Sequence, residues 1–373
     1  MTISRVLVAG GIGFVVASAL TPLVVWIATR LGVLAHPGGR HIHRSPVPRL
    51  GGIAVYLAFV AAVLAGLPLE HSIKVTVEAH RVVLSMPFAP ELDRPVIGVL
   101  CGATLITILG IIDDIWGVSP MEKLFGQLVA AIVPLPFGVG MDVLTNPLGG
   151  MLFLGPFGLA LTVAWLVALC NVMNLIDGID GLATGIATIA GGTVLAASYQ
   201  RGDMGTAILA AAFMGSTLGF FPYNYNPARI FLGDAGSMLL GYLLGSLSVL
   251  GTYKSYTALS LLVPLAALGV PVLDTALAIT RRWRTRRPIF QADTEHLHHR
   301  LLQRGLSQRQ TAVVLYLVTG ILGAAALLAT GVHRSALVAL LGGLLAALAF
   351  GARRTGLLTA PAPPAGGRHE APK

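Results

Sequence analysis

Long apolar runs of about 20 residues, the length a helix needs to cross a bilayer, alternate with short polar segments along nearly the whole chain. They lie at 4–29, 50–68, 95–112, 124–140, 157–174, 182–199, 206–221, 236–252, 258–280, 311–330 and 335–351. The pattern predicts an all-α, polytopic membrane bundle of about eleven spans. It forms one transmembrane domain over 1–351, followed by a tail, 352–373, whose APAPPAGG stretch cannot build a core and reads as disordered. The first run is longer than the apolar region of a secretory signal, and no small-residue cleavage site comes before Arg30, so it reads as a retained helix. The amphipathic stretch 73–84 reads as a surface element between spans.

Composition narrows the class further. With 55% hydrophobic residues, 11% charged residues and a mean hydropathy of +0.80, the chain is not an ordinary soluble domain. Cys101 and Cys170 both fall within apolar runs and read as small buried side chains, with no disulfide framework or metal motif. The formal charge of +9 is concentrated in a few segments: Arg30, Arg40, Arg44 and Arg49; Arg281, Arg282, Arg284, Arg286 and Arg287; and Arg353 and Arg354. That distribution is the bias of cytoplasmic loops and gives no reason to expect a nucleic-acid partner. Counting crossings from loop 30–49 puts 112–123, 175–181, 222–235, 281–310 and the tail on the same, cytoplasmic, face.

Every candidate chemical group falls on that face. Asp113, Asp114, Asp177, Asp180 and Asp234 each close or border an apolar run, and acids beside hydrocarbon are retained mainly where they serve a cation, a proton or a substrate. In ILGIIDDIWGVSPMEKLFGQ the adjacent Asp113 and Asp114 repel each other unless a divalent cation or a base is near. Lys123 offers either a helix-end partner for Asp114 or a point charge for a phosphate. In NLIDGIDGLATG, Asp177 and Asp180 share a face if the stretch is helical, with Asn171 and Asn174 beside them; helix capping with turn glycines is the structural alternative. FFPYNYNPARIFLGDAGS carries Asn224, Asn226, Phe231 and Asp234, the last also placed to cap the eighth span. Hard oxygen ligands from three loops suit Mg²⁺. His296, His298, His299 and Arg300 in DTEHLHHRLLQRG, together with His41, His43, Arg44 and Arg49 in the first loop, form anion-binding strips suited to phosphate. A basic segment on anionic lipid is the alternative for the histidines.

Taken in order, PVPRLGG, DDIWGVSPMEKLFGQ, NVMNLIDGIDGLATG, YNPARIFLGDAGS and EHLHHRLL make the chain resemble the polyprenyl-phosphate N-acetylhexosamine-1-phosphate transferases. The resemblance implies a membrane enzyme of the inner (cytoplasmic) membrane with its active site facing the cytoplasm. The enzyme would transfer an N-acetylhexosamine-1-phosphate, here GlcNAc-1-phosphate, from a UDP-sugar to undecaprenyl phosphate. UMP would be released, at the first membrane step of a wall polymer or surface polysaccharide such as teichoic acid or lipopolysaccharide. It implies Mg²⁺, with Mn²⁺ as the alternative ion, held by Asp234 and Asp113. By the same resemblance Asp113 and Asp114 are the catalytic pair, with Lys123 and the histidines His296, His298 and His299 at the phosphates. Arg49, Asn174, Asp177, Asp180, Asn224 and Arg300 contact substrate, and Phe231 stacks on uracil. A homodimer is the expected assembly for membrane enzymes of this kind. The HLHHR sequence departs from the HHHxE form of the muramoyl-pentapeptide branch, which stands as the alternative within the family. A secondary transporter, whose intramembrane acids would mark an ion path, is the alternative of another class.

Overall fold

The computed structural model of the chain describes residues 2–35, 46–66, 74–78, 81–85, 90–141, 143–145, 151–255 and 297–328, with isolated helical positions at 269, 272 and 343. Its helices are α1 (Thr2–Arg30), α2 (Gly51–Gly66), α3 (Pro90–Trp116), α4 (Pro120–Ile132), α5 (Pro156–Ile176), α6 (Leu182–Gln200), α7 (Met204–Asn224), α8 (Gly233–Ser255), α9 (Leu297–Gln303) and α10 (Gln308–Leu328). Three antiparallel strand pairs join some of them: β1 (Leu34–Ala35) with β2 (Val47–Pro48), β3 (Lys74–Glu78) with β4 (Arg81–Ser85), and β5 (Val143–Thr145) with β6 (Met151–Phe153). Within the amphipathic stretch 73–84 the described residues form the antiparallel β3–β4 pair.

Seven described helices are long and apolar enough to cross a membrane: α1, α3, α5, α6, α7, α8 and α10. The expected run 50–68 becomes α2, an apolar helix of 16 residues, about 24 Å long at 1.5 Å per residue. The run 124–140 is not one continuous helix. α4 starts earlier, at Pro120, behind a reciprocal capping box between Ser119 and Glu122, and spans only 13 residues before Pro134 and a 3₁₀ turn at Leu135–Phe137. A proline that cannot donate to the preceding turn ends it there. The expected spans 258–280 and 335–351 lie outside the described residues apart from the isolated positions, as do His41, His43, His296, the arginine groups at 281–287 and 353–354, and the tail from 352.

α8 is the hub of the bundle, packing against α2, α3, α5, α6 and α7. Its membrane window is 89% buried, against 28% for α1, which packs on α2 and α7 at the periphery. In lipid no hydrophobic drive separates one helix from another, so close packing of small residues has to hold them together. Gly52 on α2 and Gly110 on α3 lie against the α8 main chain at Gly236 and Ala235, where a Cβ on either glycine would collide. The interior holds Phe59, Ile106, Leu169, Phe213 and Tyr242, all fully buried, while Leu7, Val15, Trp26, Leu317 and Ile321 stand exposed on the outer helices. Apolar side chains turned outward are what a hydrocarbon solvent asks of a multi-pass membrane protein.

This packing gathers helix termini at one end of the bundle. The C-terminal ends of α3, α5 and α7 meet the N-terminal ends of α4, α6, α8 and α10, through hydrogen bonds that join α3, α4 and α5 to α8, α6 to α7, and α10 to the loop after α7.

Candidate active site

The first turn of α8 organises one side of this end. Helix N-termini leave backbone N–H groups without intrahelical partners, and Asp114, from the last turn of α3, takes two of them. Its Oδ1 accepts from Asp234 N at 3.0 Å and its Oδ2 from Ala235 N at 3.1 Å. The preceding Gly233 has φ +70°, and a Cβ there would run into the Asp114 carboxylate. The turn therefore requires glycine on both counts. Asp114 is buried at 9% exposure, and its carboxyl group faces the positive end of the α8 dipole.

Lys123 ties the neighbouring acids together. Its Nζ lies 2.7 Å from Asp113 Oδ2 and 2.5 Å from Asp234 Oδ1. Burial favours loss of the Lys123 proton, but the attraction of Asp234 and the hydrogen bonds to both acids outweigh it and hold the ammonium above its usual range. Asp113 Oδ1 also accepts from Val118 N at 2.8 Å, closing the turn between α3 and α4. Asp234 Oδ1 accepts a further bond from Asn174 Nδ2 at 2.5 Å, and the same amide reaches Ser237 Oγ at 2.9 Å. Asp234 Oδ2 has no hydrogen-bond partner among the described residues.

The other side is built from the loops after α5 and α7. Asp180 Oδ2 accepts from Asn226 Nδ2 at 2.9 Å and from Ala228 N at 3.0 Å. Asn224, buried at the end of α7, donates to Ile230 O at 3.0 Å and accepts from Thr184 Oγ1 at 2.7 Å. Each residue thereby folds the 225–230 loop back on itself. That loop continues into Phe231, whose N–H donates to Pro48 O and whose carbonyl accepts from Gly51 N. The pairing brings β2 and Arg49 to the cleft.

An open cleft of about 750 Å³, its mouth included, is lined by Arg49, Asp114, Asn174, Asp177–Asp180, Asn224, Phe231, Gly233, Asp234, Ser237 and Gln308. Eight residues singled out from the sequence meet here: Arg49, Asn174, Asp177, Asp180, Asn224 and Phe231 for substrate, Asp114 for catalysis and Asp234 for the metal. Asp113 and Lys123 stand behind Asp234 and do not line the cleft. Arg300 is buried on α9 and does not line it either. For His298 and His299 only the α9 backbone is described. Asp177, half-buried in the loop after α5, is pushed up to about 8, first by desolvation and then by repulsion from Asp234, Asp114 and Asp180. It has no hydrogen-bond partner among the described residues.

Among the described residues no group of three or more His, Cys, Asp or Glu side chains forms a metal cage. The donor set fits a different kind of site. Mg²⁺ is held through one or two carboxylates, with substrate phosphates and water completing its shell. The free Asp234 Oδ2 and the unpartnered Asp177 carboxylate are the hard oxygens the cleft offers. Asp113 is engaged by Val118 and Lys123. Sequence reasoning passed over Ser237 and Gln308. Ser237, one turn after Asp234 in LGDAGS, was within reach of a helical reading; Gln308, 128 residues beyond Asp180 in the chain, had no local signal.

The described helices thus form an apolar bundle with a polar cleft, lined in part by carboxylates, where their ends converge. The model of glycosyl transferase family 4 matches residues 96–252. A probable undecaprenyl-phosphate N-acetylglucosaminyl 1-phosphate transferase of Bacillus subtilis is 37% identical over 315 residues, covering 84% of this chain and 82% of the relative. A decaprenyl-phosphate N-acetylglucosaminephosphotransferase of Mycobacterium leprae is also 37% identical, over 81% of this chain and 78% of the relative. A phospho-N-acetylmuramoyl-pentapeptide-transferase of Lactiplantibacillus plantarum is 28% identical over 82% and 92%. The chain belongs to glycosyl transferase family 4 and is a multi-pass membrane enzyme of the glycosyl-1-phosphate transferase type. The family assignment sets aside the transporter alternative.

Proposed function

We propose that this enzyme transfers GlcNAc-1-phosphate from UDP-GlcNAc to undecaprenyl phosphate, releasing UMP, with Mg²⁺ as cofactor and the cleft open to the cytoplasm at the inner membrane. The observation that carries the reading is the juxtaposition of Asp234, with a free carboxylate oxygen, and Asp177 in a cleft at the bundle end where apolar outer helices meet polar loops. A polyprenyl chain can lie along those outer helices while its phosphate reaches the cleft. The relatives named for GlcNAc-1-phosphate transfer at 37% identity favour that sugar over the muramoyl-pentapeptide, whose relative is at 28%. The basic loops 30–49 and 281–287 support the cytoplasmic face by charge bias.

In this reading an oxygen of the lipid phosphate attacks the β-phosphorus of the nucleotide sugar. The new P–O bond forms as the bond from that phosphorus to the bridging oxygen breaks, and the electron pair leaves on UMP. A phosphate monoester has its second pKa at about 6, so the acceptor is largely dianionic near neutrality and needs no strong base. The enzyme's task is placement and charge neutralisation. Asp234 and Asp177 would hold Mg²⁺, which when bound neutralises charge on the diphosphate and its transition state. Lys123 pairs with Asp234 and Asn174 sets its rotamer. Asp114 fixes the first turn of α8 and hence the position of the Asp234 backbone. Arg49 supplies positive charge on the opposite wall, and Phe231 presents an aromatic face for the base. Asp180 and Asn224 support the loop that carries Phe231.

The test is UMP release by purified protein from UDP-GlcNAc and undecaprenyl phosphate, with and without Mg²⁺. Metal-dependent release is the expected outcome. Release from UDP-MurNAc-pentapeptide alone would move the enzyme to the other branch, and no release from either by folded protein would overturn the reading.

A further inference from the structure

Gln308, the first residue of α10, enters the cleft from a different part of the chain than every other group in it. Its orientation follows from a relay of hydrogen bonds whose polarity is set at one end. Asp180 Oδ2 accepts from the backbone N–H of Ala228 at 3.0 Å and from Asn226 Nδ2 at 2.9 Å. An oxygen that accepts from both groups faces the amide nitrogen of Asn226, not its oxygen. The same nitrogen donates to Gln308 Oε1 at 3.0 Å. The amide of Gln308 is therefore fixed with its oxygen toward Asn226 and its Nε2 away from it, and Nε2 has no partner among the described residues. An amide flip, ordinarily free to be assigned either way, would here set two N–H groups against each other.

The helix that carries Gln308 is anchored independently on both loops of this side. Arg309 Nε donates to Asn226 O at 2.9 Å and its guanidinium lies over the Tyr225 ring, 6.0 Å from the centroid. Tyr316 Oη donates to Gly181 O at 2.6 Å. Gln308 is thus a half-buried, neutral double donor, held by this frame in a cleft whose charged lining groups are the carboxylates of Asp114, Asp177, Asp180 and Asp234, with Arg49 the cation. Such a donor has little to offer a phosphate beside Arg49, but it matches a neutral carbonyl oxygen, and a site built to donate to one discriminates strongly against substrates that lack it.

We infer that Gln308 is a specificity residue whose side-chain amide donates to a neutral carbonyl of the nucleotide-sugar substrate, oriented for that task by the Asp180–Asn226 relay. The inference rests on the proposed reaction with a UDP-sugar. Two carbonyl sources share this chemistry, the pyrimidine base and the N-acetyl group of the sugar, and the experiment separates them.

The measurement is steady-state KM for UDP-GlcNAc, the inhibition constant of UMP and the thermal midpoint for the wild-type enzyme and for Gln308→Glu and Gln308→Met. Gln308→Glu keeps an oxygen for Asn226 and removes the donor; Gln308→Met removes the donor without adding charge. The expected result is a KM raised about tenfold in both variants, the size of one lost neutral hydrogen bond, with the thermal midpoint of Gln308→Glu unchanged. A parallel rise in the UMP constant assigns the contact to the base; an unchanged UMP constant assigns it to the N-acetyl group. A KM within twofold of wild type in Gln308→Met overturns the inference even if Gln308→Glu is impaired, because the effect is then charge repulsion. Wild-type protein that turns over no UDP-sugar at all overturns the proposed reaction instead, and this inference with it.

Discussion

The two sides of the cleft satisfy their acids by opposite means. Around α8, Asp113 and Asp234 share a lysine, and Asp114 is held by helix N–H groups at the positive end of a dipole. Around the 225–230 loop, Asp180 is held by a neutral amide and a backbone N–H, and no cation takes part among the described residues. Charge pairing is strong where water is scarce and suits a place where phosphate charge must be received and moved. Amide relays carry direction more than charge, and they suit recognition of neutral groups. The first side is built from helix ends locked into the bundle, and the second from loops latched to α10.

Substitutions on the charged side should therefore cost most. Asp234→Ala removes the free oxygen and the partner of both Lys123 and Asn174, and should lower UMP release by at least about a thousandfold, as loss of a principal electrostatic group does, while the protein remains folded. Retained turnover within tenfold would move the metal role elsewhere. Lys123→Met leaves Asp113 and Asp234 unpaired in a half-buried setting and should lower both activity and thermal midpoint; removing one partner of a fully buried pair costs about 3–5 kcal/mol, and partial exposure reduces that here. Gly233→Ala adds a Cβ against the Asp114 carboxylate at φ +70° and should destabilise by at least about 1 kcal/mol, which a thermal shift in detergent will read. On the amide side, Asn226→Ala should leave kcat closer to wild type and act mainly on KM, by several fold. An effect on kcat as large as that of Asp234→Ala would erase the distinction between the two sides.

The smallest effect is a pH dependence. Asp177 keeps its proton up to about pH 8 in the folded, metal-free protein, against an ordinary value of 3.8. Between those limits the native state binds the extra proton, so its contribution to stability is full below the ordinary value and is lost as pH rises through about 8. Asp177→Asn should flatten the decline in thermal midpoint between pH 5 and 8 in chelator-treated protein; an unchanged slope would assign the decline to other groups.

Much of the site was legible because its residues sit at the ends of apolar runs. Asp114, Asn174, Asp177, Asp180, Asn224 and Asp234 were all readable as polar positions beside spans, Phe231 as an aromatic among them, and all line the cleft. Their partners were not. Nothing in the local pattern says that Asp114 caps a helix 120 residues away, or that Lys123 bridges to Asp234 rather than pairing with Asp114. The extent of α4 was misjudged because hydropathy alone carries the apolar run past Pro134, although the Ser119–Glu122 capping pattern marked its start.

The sequence by itself determined the membrane class, the positions of the long helices and the kinds of polar group at their ends, because the bilayer sets span length and penalises every misplaced charge. Which ends meet, which acid receives the lysine and which receives the amide, and how α10 brings Gln308 into the cleft were decided only by tertiary packing. Those contacts join residues scores of positions apart, through glycine-lined helix crossings and hydrogen bonds whose geometry no local pattern encodes.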